Sequence, residues 1–297
     1  MQRILTILTG LAVIGLAAFW IVSEPRPRST EVFATLTADI ARGEMVYNAA
    51  GCGSCHMVEK AEGAAQLVLS GGQRFTTAFG TFVAPNISPD ATSGIGGWST
   101  EQFATAVMDG ISPEGEHYFP AMPYAAFGKM QPQDVADLKA FMDTLPRSEA
   151  VSLPNEVGFP FNIRRLLGGW KFLFLSGDWV LKAADTPQLE RGRYIVEAMA
   201  HCGECHTPRN ALGGLKTSAW LGGSLDPFSK IKFPNITPGA LDWSEADILS
   251  YLTTGFTPDF DTVGGPMAHV VDNMAKLPEG DRMAVVSYLK AVKPVPK

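Results

Sequence analysis

The chain has 297 residues, 46% of them hydrophobic and 18% charged, a length that allows about two domains and a composition that excludes intrinsic disorder. Its 30 glycines and 21 prolines predict loop-rich domains. With 24 basic and 30 acidic residues the formal net charge is -6, so nucleic acid is excluded as a partner on electrostatic grounds.

The first predicted element is apolar. Ile4 to Val22 is a 19-residue stretch without charge, close to the roughly 20 apolar residues that cross a bilayer. Arg3 precedes it, and Pro25 and Pro27 stop the helix after it. A cleaved signal peptide would have an apolar region of about 7 to 15 residues and a small-x-small site at its end. The nearest candidate, Gly15-Leu16-Ala17, lies inside the run. An uncleaved membrane anchor over residues 1–29 is therefore favoured. Arg3 and the terminal amine on one side are matched by Arg26 and Arg28 on the other, so charge alone orients it weakly.

Next, Ala41 to Ala49 predicts a helix that leads into Cys52-Gly53-Ser54-Cys55-His56, and Leu189 to Met199 predicts one that leads into Cys202-Gly203-Glu204-Cys205-His206. These two C-x-x-C-H runs use all four cysteines and read as attachment sites for two covalently bound haem c groups. Two thiols add to the two vinyl groups at one porphyrin edge, which brings the adjacent histidine under the iron. Cys52, Cys55, Cys202 and Cys205 would carry the haems, with His56 and His206 as proximal ligands. Paired zinc-binding C-x-x-C halves normally lie about 12 to 20 residues apart, whereas Cys55 and Cys202 are 147 apart. A dithiol redox pair leaves the histidine after both motifs unexplained. Because bacteria attach haem covalently outside the cytoplasmic membrane, the body after Pro25 is expected in the periplasm.

The landmarks around the two motifs repeat. Arg42-Gly43, Pro85-Asn86-Ile87, Trp98-Ser99 and Pro120-Ala121-Met122 have counterparts in Arg191-Gly192, Pro234-Asn235-Ile236, Trp243-Ser244 and Gly265-Pro266-Met267. The interval from Trp to Met is 24 positions in both copies, while Arg42 is ten before Cys52 and Arg191 eleven before Cys202. Ser99 with Gln102, and Ser244 with Asp247, have the form of helix N-caps. Val135, Leu138, Met142 and Leu145 share one helical face, as do Val285, Leu289 and Val292. No stretch alternates enough to argue for a sheet. The expected fold class is all-α, with two tandem class I-like cytochrome c domains at 36–147 and 185–297 behind the N-terminal transmembrane helix.

The connector, 148–184, belongs to neither repeat. Phe159, Phe161, Trp170, Phe172, Phe174 and Trp179 make it too aromatic for a flexible tether, and it is expected to pack between the domains. Arg164, Arg165 and Lys171 interrupt it, so a second span is disfavoured.

Met122 and Met267 are the candidate sixth ligands by repeat register, and a thioether opposite histidine raises the reduction potential. Most of the 11 methionines, Met130, Met142 and Met283 among them, are expected in the core. His117 and His269 are the competing sixth ligands, or polar residues near the haem rim. His201, next to Cys202, is tied to the proximal side. Arg209 and Asn210 are candidates for a haem propionate or for solvated surface, and Trp98 and Trp243 for a haem edge or the protein core.

The strings FGTFVAPNISPDATSGIGGWS, YFPAMPY, GFPFNIRRLLGGWK, HCGECHTPRN, FPNITP and GGPMAHVV resemble the multihaem cytochrome c subunits of membrane-bound alcohol, aldehyde and gluconate dehydrogenases, from about Ala41 to Val292. The resemblance implies His56 and His206 as proximal and Met122 and Met267 as distal ligands, in agreement with the register. It also implies a dehydrogenase catalytic subunit as electron donor and a quinone, oxidase or small cytochrome as acceptor. The better-known subunits of this kind carry a third haem domain and this chain ends at Lys297, so their direct quinone reduction is not carried over.

The expected function is electron relay by a membrane-anchored periplasmic dihaem protein without acid-base or nucleophilic residues of its own. A free-standing anchored shuttle between a quinol-oxidising complex and an oxidase or reductase is the alternative. A dihaem peroxidase or thiosulfate dehydrogenase would need an open or unusual sixth position, against which the methionine in both repeats argues.

Overall fold

The computed structural model describes residues 1–226 and 230–297. Helix α1 (Gln2–Val22) buries none of its residues against the rest of the chain. Helix α2 (Ile40–Ala50) starts where the Asp39 carboxylate accepts hydrogen bonds from the Ala41 and Arg42 amides, and ends at Gly51 in the left-handed region, φ 64°. That turn feeds directly into α3 (Cys52–His56). Strands β1 (Arg74–Thr77) and β2 (Gly80–Val83) pair as a hairpin, Phe75 opposite Phe82. Helix α4 (Thr100–Ala104) opens on the Ser99–Gln102 capping box and widens into a π-turn over Thr105–Asp109. Helices α5 (Tyr124–Phe127) and α6 (Pro132–Met142) follow.

The connector contains α7 (Arg164–Phe174). The second half then holds α8 (Pro187–Tyr194), a π-turn over Ile195–Met199, and α9 (Gly203–His206). A two-residue hairpin of β3 (Ser224–Leu225) and β4 (Lys232–Phe233) comes next. Helices α10 (Glu245–Thr254), α11 (Pro266–Met274) and α12 (Glu279–Ala291) end the chain. Asp247 completes a second capping box with Ser244. The two hairpins correct the expectation of helices alone. They are too short for their alternation to register in the sequence, and the longer one gains a bridge from Thr81 to Glu156 of the connector.

The halves repeat each other in contacts as well as in sequence. Helix α2 crosses α6, and α8 crosses α12. At the first crossing the Arg42 guanidinium pairs with Asp134 and Asp137, and at the second Arg191 pairs with Asp281. In the Pro-Asn-Ile turns, Asn86 Nδ2 donates to the Ser148 and Ala150 carbonyls while its Oδ1 accepts from the Ser88 amide. Asn235 does the same with the Val295 carbonyl and the Thr237 amide. The extra residue between Arg191 and Cys202 is taken up by the π-turn, in which the Ala200 amide reaches back to the Ile195 carbonyl at 2.7 Å.

Two buried junctions fix the parts together. Ser23, just after α1, is fully buried and its carbonyl accepts from His117 Nε2 at 2.9 Å. Beside it, Arg165 donates to Ser23 Oγ at 2.9 Å, and Arg28 pairs with Asp109 at 2.8 Å. Between the halves, Glu197 in the π-turn is 1% exposed. Its carboxylate accepts from the Val180 and Leu181 amides and from the Tyr288 hydroxyl, and it pairs with Lys129 at 3.4 Å. Trp179 packs on Tyr194 in the same place. The end of the connector around Trp179 is thus packed into the body, while Phe159 and Phe172 stay exposed.

Candidate haem-attachment sites

Each C-x-x-C-H segment is a single helical turn held in place by its neighbours. In the first, the Tyr47 ring leaves Gly53 no room for a side chain: a Cβ there would meet the hydroxyl at 2.7 Å. In the second, a Cβ on Gly203 would meet the Trp220 ring at 2.1 Å, and that ring is itself fixed by its indole N–H, which donates to the Tyr288 hydroxyl at 2.9 Å. Cys52 and Cys202 are partly buried while Cys55 and Cys205 are exposed, so each motif offers one inner and one outer thiol.

The two histidines have the same partner. His56 Nδ1 lies 2.9 Å from the Pro85 carbonyl oxygen, and His206 Nδ1 lies 2.8 Å from that of Pro234. A carbonyl can only accept, so the proton sits on Nδ1 and the Nε2 lone pair is left to bind a metal. Burial lowers both pKa values, with the carbonyl bond opposing, which keeps the rings neutral as ligation requires. Burial raises the two inner thiols instead, Cys52 and Cys202, each to about 12. A catalytic dithiol needs a depressed pKa, so the thiol environment speaks against a redox pair. The donor set fits haem c: two thiols and one oriented neutral imidazole per motif.

Met122 sits in the turn before α5, its amide bonded to the Phe119 carbonyl at 3.2 Å. Met267 lies in the first turn of α11, after Gly265 at φ 58°. Both are half-buried at the edge of the core. His117 is 3% exposed and its Nε2 is taken by Ser23, which ties it to the end of α1. His269 is half-buried on α11. His201, at φ 41°, reaches the Ala50 carbonyl at 3.2 Å and stacks edge-on against Phe127. It therefore joins the approach to one haem motif to the approach to the other. Arg209 is paired with Glu204 and donates to the Gly213 carbonyl, while Asn210 Oδ1 organises the turn by accepting from the Leu212 and Gly214 amides. Trp98 and Trp243 pack against the core, Trp243 edge-on to Tyr251.

Sequence reasoning did not single out the Pro85 and Pro234 carbonyls as orienting groups. The signal was present in the repeated Pro-Asn-Ile triplet, whose asparagines pin the turns that present those carbonyls.

A mostly helical chain with oriented histidines behind paired cysteines defines a c-type cytochrome. Residues 40–146 match the family model described as Cytochrome c. The chain is 51% identical over 98% of its length, and 99% of the relative's, to a diheme cytochrome c-type protein of Cereibacter sphaeroides. It is 36% identical to the fructose dehydrogenase cytochrome subunit of Gluconobacter japonicus, covering 91% of this chain, and 33% identical to the alcohol dehydrogenase (quinone) cytochrome c subunit of Gluconobacter oxydans, covering 87%. It spans 55% of the length of each of those two subunits. The chain belongs to the cytochrome c family. It is an electron-transfer component rather than a catalytic one, and its cofactor is covalently bound haem c.

Proposed function

We propose that this chain is a membrane-anchored periplasmic dihaem cytochrome c that relays electrons from a dehydrogenase catalytic subunit to the respiratory chain. Its organisation is an anchor at 1–29, cytochrome c domains at 36–147 and 185–297, and the connector at 148–184. Cys52, Cys55 and His56 hold one haem with Met122 as sixth ligand; Cys202, Cys205 and His206 hold the other with Met267. Haem c supplies one-electron chemistry at its iron. The chain's own residues fix imidazole orientation through the Pro85 and Pro234 carbonyls and set the dielectric by burial.

The observation that carries this reading is the matched pair of bonds, His56 to Pro85 at 2.9 Å and His206 to Pro234 at 2.8 Å, which equips the second half with the same oriented ligand as the first. Helix α1, long and apolar enough to cross a membrane and unburied in the protein, supports the anchor. The dehydrogenase-subunit relatives support the donor.

A second reading is an anchored shuttle between a quinol-oxidising complex and a terminal oxidase or reductase. The relative matched over 99% of its length, described as a diheme cytochrome c-type protein, favours it. Purification from membranes in mild detergent separates the two. A copurifying dehydrogenase whose substrate reduces both haems establishes the subunit reading; a lone dihaem protein that responds only to quinol-linked or small-carrier donors establishes the shuttle.

A further inference from the structure

Helix α7 carries large apolar side chains on its exposed side as well as on the side packed against the body, where Trp170 meets Tyr124 and Phe174. Its two inward cations are spent on backbone carbonyls: Arg164 donates to the His117 carbonyl at 3.2 Å, and Lys171 Nζ to those of Asp109 and Gly110 at 2.6 and 2.8 Å. Its outward face carries Leu166, Phe172 and Leu173, the last two 70% and 63% exposed. Phe159, 81% exposed, precedes it in the same connector. Large apolar side chains turned outward, while two of the three cations bond to the body and the third, Arg165, is held by the end of α1, mark a surface that meets something other than water.

The position of this face identifies its occupant. Gly169 lies between Leu166, Phe172 and Leu173 on the helix surface, and a Cβ on it would meet the Phe19 ring of α1 at 2.9 Å. On the neighbouring position, Gly168 sits so close to the Ser23 carbonyl that a Cβ would approach it to 2.3 Å. The Arg165 guanidinium lies 4.3 Å from the centre of the Trp20 ring and bonds to the Trp20 carbonyl. The exposed apolar face of α7 is therefore continuous with the last turns of α1, and its level along α1 is set by several close contacts. Whatever solvates the end of α1 also solvates α7.

We propose that the outward face of α7 lies in the membrane interface, with Leu166, Phe172 and Leu173 seated among lipid headgroups and the upper acyl chains. This rests on the reading of α1 as a membrane anchor. An eleven-residue helix with one apolar face is suited to lying in the interface plane rather than to spanning. Trp20, capped by Arg165, falls where an interfacial aromatic belongs.

The test uses the full-length holoprotein in its native membrane. A photoreactive benzoylphenylalanine is introduced by Leu11→benzoylphenylalanine in the middle of α1 and, separately, by Phe172→benzoylphenylalanine. Both positions are exposed, and the haem spectrum reports folding. After illumination the adducts are identified by mass spectrometry. Lipid adducts at both positions are expected. Lipid adducts at 11 with a protein adduct at 172 would overturn the inference and make α7 a subunit contact, and an absence of lipid at 172 alone would overturn it as well. If neither position yields lipid, both the interfacial helix and the anchor are wrong.

Discussion

Gly43 and Asp137 meet backbone to backbone: a Cβ added to the glycine would lie 2.0 Å from the Asp137 carbonyl oxygen. The second half repeats this with Gly192 and the Ala284 carbonyl, again at 2.0 Å. The next residue against each glycine is also matched, Phe141 in the first half and Tyr288 in the second. Both crossings thus depend on a residue without a side chain, and overpacking a tight helix contact costs about 1–3 kcal/mol. Gly43→Val and Gly192→Val are expected each to lower stability by at least that amount. Guanidinium unfolding, followed by haem absorbance, measures it; wild-type midpoints in both variants would refute the helix crossing described here.

Met122→His and Met267→His replace a thioether by an imidazole opposite the proximal histidine. Thioether ligation raises the potential, so each change is expected to lower one of two midpoints by about 0.2 V, within the roughly 0.8 V range that axial ligands command. A redox titration of each variant resolves which midpoint moves. A titration curve identical to wild type would show that the substituted methionine does not bind iron.

Glu197 and Lys129 form a buried pair across the two halves, with Glu197 also holding the Val180 and Leu181 amides. Removing one partner of a buried pair leaves an uncompensated charge, at a cost of about 3–5 kcal/mol. Glu197→Gln is expected to be destabilising on that scale. Lys129→Met added to it should recover part of the loss. A double-mutant cycle by denaturant unfolding reads the coupling, and strict additivity would mean that the pair contributes no interaction energy.

Lys171 has its pKa lowered from 10.5 to about 8 by burial, with the Asp109 charge opposing. Between those two values the unfolded chain holds more protons than the folded one. Folded stability therefore rises with pH across the window from about 8 to 10.5, by at most ~1.4 kcal/mol per unit for one group. Thermal unfolding of the wild type and of Lys171→Met from pH 7.5 to 10.5 should show a steeper rise in the wild type. Parallel curves would mean that Lys171 stays charged in the folded protein.

The parts of this fold that announce themselves locally were legible in the sequence. The cysteine-histidine runs, the Ser99 and Ser244 caps and the α6 and α12 apolar faces each depend on residues within one or two turns. The one-residue mismatch between Arg42 to Cys52 and Arg191 to Cys202 was visible too, although only the fold shows it as the π-turn at Ile195–Met199. What escaped depends on distant partners. Glu197 stands between Val196 and Ala198 as an ordinary acidic residue until Lys129, 68 positions away, and Tyr288, 91 away, close on it. His117 could be weighed as a ligand only because its true partner, the Ser23 carbonyl, lies 94 positions earlier. The β1–β2 hairpin needs Glu156 from the connector, which no local pattern in Arg74–Val83 can supply.

The burial of Ser23 settles how freely the body can move. With that residue gripped immediately after Val22, no slack chain separates the apolar helix from the body, and the arrangement is a mast rather than a leash. On the proposed reading of α1 as the anchor, the haem-motif loops would not swing outward to meet a carrier at a distance. Their reach would be the radius of the body itself, and exchange would depend on partners travelling to a fixed post and arriving on the faces that post leaves open.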